Sequence, residues 1–272
     1  MKIEEKEAQL ERLLREMAPV LVAFSGGVDS SYLAYKAQAV LGDRALAVTA
    51  DSPSVPGNQR EMALRLAHEF GLHHELVRTG EVDRPEYREN PPERCYFCKD
   101  TLFDVLVPLA RERGFATVVD GLNAEDLGDY RPGRKAAEEH GVRSPLMEAG
   151  LNKDEIRQLS RKAGLPTAEK PASACLASRF PYGVRITEEN LRLVDRGEEA
   201  LREMGFTIFR VRHHEELVRL EFGREDLLRA LHPEIAARLK ELFKGLGYKY
   251  VTLDLEGYRS GSLNEVLVAR IE

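Results

Sequence analysis

The chain has 272 residues, enough to bury one large hydrophobic core or two modest ones. Hydrophobic residues make up 43% of the chain and charged residues 32%, which is typical of a folded globular protein and argues against a disordered one. No apolar run approaches the ~20 residues that a membrane-spanning helix needs, and the acidic N-terminal segment is unlike a secretory signal peptide. We therefore expect a cytoplasmic protein with no membrane segment.

The net charge of −6 gives no overall reason to expect a nucleic-acid partner. The three cysteines are an odd number in a chain with no export signal, which argues against a framework of disulfide bonds. The position of each cysteine therefore matters more than their number.

The first elements are an amphipathic helix over residues 3–17 and a buried strand over the apolar run Val20–Phe24. The loop Ser25–Ser30, with the sequence Ser-Gly-Gly-Val-Asp-Ser, connects this strand to a further helix. A strand, a glycine pair and a helix start present free backbone N–H groups and a positive dipole end to an anion. The hydroxyls of Ser25 and Ser30 add donors, and Asp29 can cap the helix or hold a metal ion.

A Walker A loop needs a lysine that reaches the phosphates, and the Ser25–Ser30 loop contains none. The alternative to a phosphate site is an ordinary strand–turn–helix corner with a glycine-rich bend. Two glycines alone would be weak evidence, but the complete Ser-Gly-Gly-x-Asp-Ser pattern after an apolar strand favours a phosphate site.

Strand and helix patterns alternate after this loop, which predicts an α/β fold with a parallel sheet covered on both faces. In that fold Asp51–Pro53 and Gly121–Asp129 would meet the glycine loop at the carboxyl ends of the strands. Glu125, Asp126 and Asp129 could hold Mg²⁺ there, or belong to a solvated loop. The predicted elements are strands 44–49, 73–77 and 116–120 and helices 57–70, 97–113 and one that Asn152 caps and that runs to about Lys162.

Cys95 and Cys98 form a Cys-x-x-Cys pair near a predicted helix start, and Cys175 follows much later. Such a pair can hold a metal or do redox chemistry. No histidine lies at a zinc-knuckle spacing, whereas three cysteines with one open position suit a 4Fe–4S cluster. The alternative is three ordinary small buried residues, two of which are close in sequence by chance.

Residues 164–183 are rich in Pro, Ala, Ser and Gly and show no period, which indicates a linker. We expect a first domain over residues 1–170, a linker over 171–183 that carries Cys175, and a smaller α+β domain over 184–272, similar to a ferredoxin-like unit. Its predicted elements are helices 188–204 and 225–246 and strands 207–212, 217–222, 248–253 and 265–269.

Arg210 and Arg212 lie on one face of a predicted strand, because alternate residues of a strand point the same way. Two neighbouring guanidinium groups can bind one phosphate with paired hydrogen bonds. The alternative is a charged, exposed strand face.

The loop Ser25–Ser30 resembles the PP-loop of the N-type ATP pyrophosphatases, which have an adenine-nucleotide α-hydrolase-like fold, release pyrophosphate and attach AMP to a substrate. Taken together, the motifs resemble one family of that superfamily, the LarE sulfurtransferases. The motifs are Ser25–Ser30, Glu93–Lys99, Asp120–Asp126, Asp129–Gly133, Ser144–Leu146, Ala172–Gly183 and Arg210–Arg212.

The resemblance implies an enzyme that adenylates a carboxylate of pyridinium-3,5-dicarboxylate mononucleotide and replaces AMP with sulfur, on the path to the nickel-pincer nucleotide of lactate racemase. In one branch a cysteine matching Cys175 gives up its own sulfur and becomes dehydroalanine. In another, two further cysteines help to hold a 4Fe–4S cluster, and the presence of Cys95 and Cys98 assigns this chain to that branch. Cys175 and Asp29 are the implied catalytic residues. The implied ATP and pyrophosphate site comprises Ser25, Gly26, Gly27, Asp29, Ser30, Ser52, Gly121 and Asn123.

The implied cofactors are the 4Fe–4S cluster, ATP and Mg²⁺, and the substrate phosphate would lie on Arg210 and Arg212. The expected partners are a small nucleotide substrate, a sulfide or other sulfur donor, and further copies of the chain. Two other functions stay open. A PP-loop tRNA thiolase would need a basic RNA surface, which the net charge of −6 does not indicate. A non-catalytic ATP-binding module would bind ATP without forming AMP.

Overall fold

The computed structural model describes residues 1–127, 132–170, 174–259 and 262. The chain divides into two compact units, the first within residues 1–84 and 93–173 and the second within residues 85–92 and 174–272. In the described ranges, no helix combines the length and the apolar character that crossing a membrane requires.

The strands are β1 (Val20–Ala23), β2 (Ala45–Asp51), β3 (His74–Arg78), β4 (Thr117–Val119), β5 (Phe209–His214), β6 (Leu217–Phe222) and β7 (Tyr250–Leu253). The helices are α1 (Ile3–Met17), α2 (Val28–Leu41), α3 (Gly57–Glu69), α4 (Pro85–Arg88), α5 (Arg94–Glu112), α6 (Pro132–Glu139), α7 (Pro145–Glu148), α8 (Lys153–Lys162), α9 (Glu188–Glu203), α10 (Arg224–Ala230) and α11 (Pro233–Gly245). Short 3₁₀ turns lie at Gly42–Arg44, Glu81–Asp83, Ala124–Leu127 and Leu176–Arg179.

The first unit contains a four-stranded sheet in the order β3-β2-β1-β4, and every neighbouring pair is parallel. Successive residues of β1 face opposite sides of it, as the pleat requires. Val20 and Val22 pack in one apolar layer with residues of α1, α2 and α8, whereas Leu21 packs in a second layer with residues of α5 and α6. The predicted α/β fold, with helices on both faces of a parallel sheet, is therefore confirmed.

The strand order fixes where this unit can bind a ligand. The chain runs from β1 to β2 and β3 on one side and then returns to place β4 on the other side of β1. The connections after β1 and β4 therefore diverge, which leaves a crevice at their carboxyl ends, the usual ligand site of such sheets.

The second unit is built on a three-stranded mixed sheet in the order β5-β6-β7. Strands β5 and β6 form an antiparallel hairpin, and β7 joins β6 in parallel. Phe206 and Phe222 pack against each other in its core, with their ring centroids 4.5 Å apart and their planes tilted by 36°. The predicted small α+β unit is confirmed, while the strand predicted over residues 265–269 lies outside the described residues, so the ferredoxin-like arrangement stays a prediction.

The single helix predicted over residues 225–246 is wrong. The structure has two helices there, α10 and α11, and α11 begins at Pro233. Proline has no N–H to continue a helix, but its fixed φ suits a first helical turn, so it ends one helix and starts the next.

The segment Pro85–Pro92 belongs to the second unit, although its neighbours in sequence belong to the first. Tyr87 is buried, and the amide of Asn90 donates hydrogen bonds to the carbonyls of Phe180, Pro181 and Val184 at 3.3, 2.7 and 3.2 Å. No local pattern in the sequence indicates this excursion. The predicted boundary at residues 171–183 stays a prediction.

Candidate functional site

The Ser25–Ser30 loop lies at the carboxyl end of β1 and leads directly into α2. Gly26 has a φ of +69°, and a Cβ there would lie 3.0 Å from the Cβ of Ala63 on α3. Both the backbone conformation and the close approach therefore require glycine at this position. Gly27 is the residue that precedes the first turn of α2. The loop thus directs the start of the helix, with its free N–H groups, toward the crevice.

Hydrogen bonds across the loop fix its shape. The backbone N–H of Ser25 donates to the hydroxyl of Ser30 at 3.2 Å, and the two serine hydroxyls lie 3.1 Å apart. The Ser30 hydroxyl also donates to the carbonyl of Gly27 at 3.2 Å, and Gln59 donates to the carbonyl of Ser25 at 3.0 Å. The loop is therefore preorganised before any anion binds.

Asp29 is the charged member of the loop, and its two carboxylate oxygens differ. Its Oδ2 accepts a hydrogen bond from the ammonium group of Lys153, whereas its Oδ1 is buried without a partner in the part of the chain that the structure describes. Burial raises the pKa of Asp29 above its ordinary value, and the nearby charge of Asp126 adds to the rise, although Lys153 opposes it. A buried, unpartnered carboxylate oxygen beside a second carboxylate is a favourable position for a cation.

The loop after β4 meets the glycine loop as predicted from the strand order. A Cβ on Gly121 would lie 3.0 Å from the backbone nitrogen of Ser30, so the two backbones are in direct contact. Asn123 is buried, and its side chain accepts a hydrogen bond from the N–H of Glu125 at 2.9 Å. Its own N–H donates to the carboxylate of buried Asp126 at 2.9 Å. Asn123 therefore shapes this loop with its side chain.

The predicted Mg²⁺ residues differ in their surroundings. Asp126 is buried and Glu125 is exposed, where it accepts a hydrogen bond from the N–H of Lys153 at 3.1 Å. Asp129 lies outside the described residues.

Ser52, a predicted ATP-binding residue, lies just after β2, and its hydroxyl donates to Glu81. Ser54 and Thr79 also donate to Glu81, at 2.5 and 3.1 Å, so that three hydroxyls surround one carboxylate that is 1% exposed. The Ser52 hydroxyl thus already has a structural partner.

In the second unit, the carbonyl of Cys175 accepts hydrogen bonds from the N–H and the hydroxyl of Ser178, at 3.0 and 2.7 Å, and from the guanidinium of Arg179 at 2.8 Å. Cys95 and Cys98 belong to the first unit, on the first turn of α5, where a spacing of three residues places them on one helix face. None of the three cysteines, all of which the structure describes, forms a disulfide bond.

The two predicted phosphate-binding arginines have different partners. The Nε and Nη2 atoms of Arg212 donate to both oxygens of Glu221, at 2.9 and 2.8 Å, and both residues are buried. Arg210 is half-buried and has no carboxylate partner within the described ranges; its guanidinium lies 4.7 Å from the ring centroid of Tyr258. Burial and the charge of Arg179 lower the pKa of Arg210. Arg210 is therefore the arginine that an anion can reach without displacing a carboxylate.

The chain is similar to several known proteins over most of its length. The family model of asparagine synthase matches residues 6–95, which include the glycine loop. An uncharacterised protein of Synechocystis is 47% identical over 265 residues, 97% of this chain and 99% of that protein. An uncharacterised protein of Methanocaldococcus jannaschii is 30% identical over 241 residues, 89% of this chain and 91% of that protein.

Pyridinium-3,5-bisthiocarboxylic acid mononucleotide synthase of Lactiplantibacillus plantarum is 37% identical over 263 residues, 96% of this chain and 95% of that protein. The chain belongs to the LarE family. It is an ATP-dependent sulfurtransferase of the PP-loop superfamily.

In this LarE protein, sequence reasoning missed Lys153. It is the first residue of α8, where the positive end of the helix dipole disfavours a cation. A lysine at that position, directly after the predicted cap Asn152, is a signal that its charge is needed for something other than helix stability.

Sequence reasoning also missed Glu198. It interrupts the buried stripe of α9, which otherwise contains Leu191, Val194 and Leu201. A carboxylate at such a position requires a buried partner, and the structure supplies Arg179, with its Nε and Nη2 2.8 and 2.9 Å from the two oxygens of Glu198.

Proposed function

We propose that this LarE protein uses ATP to adenylate a carboxylate of pyridinium-3,5-dicarboxylate mononucleotide and then replaces AMP with sulfur to form a thiocarboxylate. The observation that carries the proposal is the preorganised Ser25–Ser30 loop, which lacks a Walker lysine and lies in the crevice between β1 and β4. The name of the Lactiplantibacillus plantarum relative supports the substrate and the sulfur chemistry.

The glycine loop would bind the phosphates of ATP and retain pyrophosphate as it leaves. A carboxylate is a poor electrophile, and its acyl-adenylate provides a good leaving group. The N–H groups at the start of α2 and the hydroxyls of Ser25 and Ser30 are the donors available to the phosphates. Gly121 would allow the neighbouring loop to approach without a side chain in the way.

The residues around Asp29 fit a magnesium ion. The buried, unpartnered Oδ1 of Asp29 and the nearby carboxylate of Asp126 are oxygen donors of the kind that Mg²⁺ prefers. Two further candidate ligands are Asp129 and Glu125, which is exposed and lies beside Asp126 in the loop after β4. When bound, Mg²⁺ would neutralise phosphate charge. Lys153, which now pairs with Asp29, would remain beside the phosphates as a second cation.

Arg210 would bind the phosphate of the nucleotide substrate, because its guanidinium has no carboxylate partner among the described residues. Arg212 faces the same side of β5, but Glu221 already occupies its paired donors. We therefore assign the direct contact to Arg210 and a supporting position to Arg212.

Cys95, Cys98 and Cys175 would together hold a 4Fe–4S cluster. Cysteine thiolates are the ligands that such a cluster takes, and the proposal is supported by the fact that none of these three thiols is in a disulfide and none is fully buried. When bound, such a cluster would offer one iron without a protein ligand to an external sulfide. We further propose that sulfide or another small sulfur donor supplies the sulfur and that the protein acts as a homo-oligomer.

The nucleotide products test the proposal. With Mg²⁺, ATP, sulfide and the dicarboxylate substrate, chromatography should show pyrophosphate from adenylation and AMP from its displacement by sulfur, and Asp29→Asn should reduce the formation of both at least tenfold. Formation of ADP and phosphate as the main products would exclude adenylation. ATP binding with no AMP formed would instead favour a non-catalytic ATP-binding module.

A further inference from the structure

Arg179 lies in the 3₁₀ turn that follows Cys175, and its side chain is almost completely buried. Its Nη1 donates to the carbonyls of Ala174 and Cys175, both at 2.8 Å, and lies 2.9 Å from the hydroxyl of Ser178. Its other two donor groups contact both oxygens of Glu198. One guanidinium thus ties the backbone on both sides of the Cys175 amide to helix α9.

A second buried pair holds the same turn from another element. The Nη1 of Arg212 donates to the carbonyl of Ser178 at 2.8 Å, while its Nε and Nη2 donate to Glu221 of β6. The backbone between residues 174 and 178 is therefore attached to α9 through one ion pair and to the β5–β6 hairpin through another.

Two buried ion pairs are a poor way to stabilise the fold of this turn. A buried ion pair gives little net stabilisation compared with apolar residues of the same volume, because both charges lose their hydration. Cys175 is half-buried and Ala174 is exposed, so their carbonyls could accept hydrogen bonds from water at little cost. The specific result of burying two charges here is a fixed backbone at Cys175.

We infer that Arg179, held by Glu198, is a positioning residue that fixes the backbone of Cys175 and so the place of its sulfur. The importance of this position for catalysis rests on the proposed role of Cys175 in sulfur transfer, but the positioning itself can be tested without the reaction.

Hydrogen exchange on the full-length protein tests the inference. Glu198→Gln keeps the shape of the side chain but removes its charge. Arg179→Lys keeps a cation, but its three N–H donors cannot replace the two contacts to Glu198 and the two to carbonyls that the arginine makes. Both variants should speed amide exchange in residues 174–180 by about tenfold or more. Glu7→Gln, which removes a partly buried ion pair with Lys36 in the first unit, is the matched control and should leave exchange in residues 174–180 unchanged.

A chemical readout accompanies the exchange. In a Cys95→Ser, Cys98→Ser background Cys175 is the single thiol, and its alkylation by iodoacetamide should become several-fold faster in Glu198→Gln as the turn opens. Ser178→Ala, which removes one hydrogen bond to the Cys175 carbonyl, gives a milder variant and should produce a smaller increase.

Unchanged exchange in residues 174–180 and unchanged alkylation, together with a lower melting temperature, would overturn the inference and leave the pair a purely structural role. Faster exchange and alkylation with full thiocarboxylate formation would support the positioning but count against the proposed role of Cys175. The two failures are therefore distinguishable.

Discussion

The Ser25–Ser30 loop of the first unit and the Cys175 turn of the second are both preorganised, but by different means. The first is shaped by glycine conformation and by hydroxyl and backbone hydrogen bonds. The second is held by two buried arginine–carboxylate pairs. A loop that binds phosphate must keep its N–H groups available. A turn whose role is to position one sulfur atom can have its carbonyls hydrogen-bonded within the protein. The interactions that hold each region thus match the chemistry proposed for it.

The largest expected effect is a loss of stability when one of the buried pairs that hold the Cys175 turn is broken. Arg212→Ala leaves Glu221, which is 1% exposed, without its main partner. We expect a loss of about 3–5 kcal/mol in the free energy of unfolding, the cost of breaking a buried ion pair, because the partly exposed Arg219 compensates the charge of Glu221 only in part. Urea unfolding followed by circular dichroism measures it.

Arg219→Ala is the matched control for this prediction. Arg219 contacts the same carboxylate at 3.2 Å but is about one-third exposed, so its loss should cost less than ~1 kcal/mol. Equal effects of the two substitutions would show that the buried pair does not hold the second unit together.

The glycine loop should instead be sensitive to backbone shape. Gly26→Ala forces a side chain into a positive φ and toward Ala63, so we expect a loss of roughly 2–4 kcal/mol in ATP binding, or roughly 30- to 1,000-fold in Kd. Calorimetric titration with a non-hydrolysable ATP analogue measures it.

Gly42→Ala provides the control, because Gly42 also has a positive φ, +57°, but a Cβ there meets nothing within 4 Å. It should lower stability by about 1 kcal/mol and leave ATP affinity unchanged. If both variants bound ATP normally, the shape of the glycine loop would not be needed for the nucleotide.

Arg210 should affect substrate binding without affecting the fold. Arg210 donates to the carbonyl of Phe209 at 2.7 Å and to the hydroxyl of Tyr258 at 3.3 Å but has no carboxylate partner in the described residues, so Arg210→Ala should lower the melting temperature only slightly. The loss of a charge-assisted hydrogen bond to phosphate should raise the KM for the nucleotide substrate roughly 10- to 150-fold, equivalent to about 1.5–3 kcal/mol. Steady-state kinetics measure this KM, and Arg192→Ala, which removes an exposed arginine of α9, is the control. A change in the KM for ATP of the same size would contradict the assignment.

The smallest effect concerns pH and the second unit. His213 is buried, its Nδ1 lies 2.9 Å from the hydroxyl of Tyr248, and burial lowers its pKa to about 4. Below about pH 6.5 the unfolded chain takes up a proton that the folded protein refuses until about pH 4, so stability falls over this range.

Because of this single histidine, the free energy of unfolding should be about 1–2 kcal/mol lower at pH 5 than at pH 7. His213→Phe should reduce the change in the free energy of unfolding between pH 7 and pH 5, measured by urea unfolding, by that amount. An unchanged pH dependence in the variant would show that His213 is not the group responsible.

The sequence predicts the first region far better than the second. The strand, glycine loop and helix start are local patterns, and the structure has them at the predicted positions. The meeting of the loops after β1 and β4 follows from the general topology of parallel sheets. The capped helix α8 begins directly after Asn152, as predicted.

Long-range pairing explains most of what the sequence did not predict. Lys153 meets Asp29 across 124 residues, and Arg179 meets Glu198 across 19 residues and a change of element. The alternation of β5 correctly places Arg210 and Arg212 on one face. It does not show that Glu221, directly opposite Arg210 in the register, bonds to Arg212 instead. Such choices depend on tertiary packing, and no local pattern encodes them.

The most direct test of the account combines the nucleotide products with the mass of the protein. Anaerobically reconstituted protein would be incubated with Mg²⁺, ATP, sulfide and excess pyridinium-3,5-dicarboxylate mononucleotide, and AMP, thiocarboxylate and intact protein mass measured together. We expect equal amounts of AMP and thiocarboxylate, several per chain, and an unchanged protein mass. Product that stops at one per chain, with each chain lighter by the mass of H₂S at Cys175, would contradict it and show a sacrificial sulfur donor.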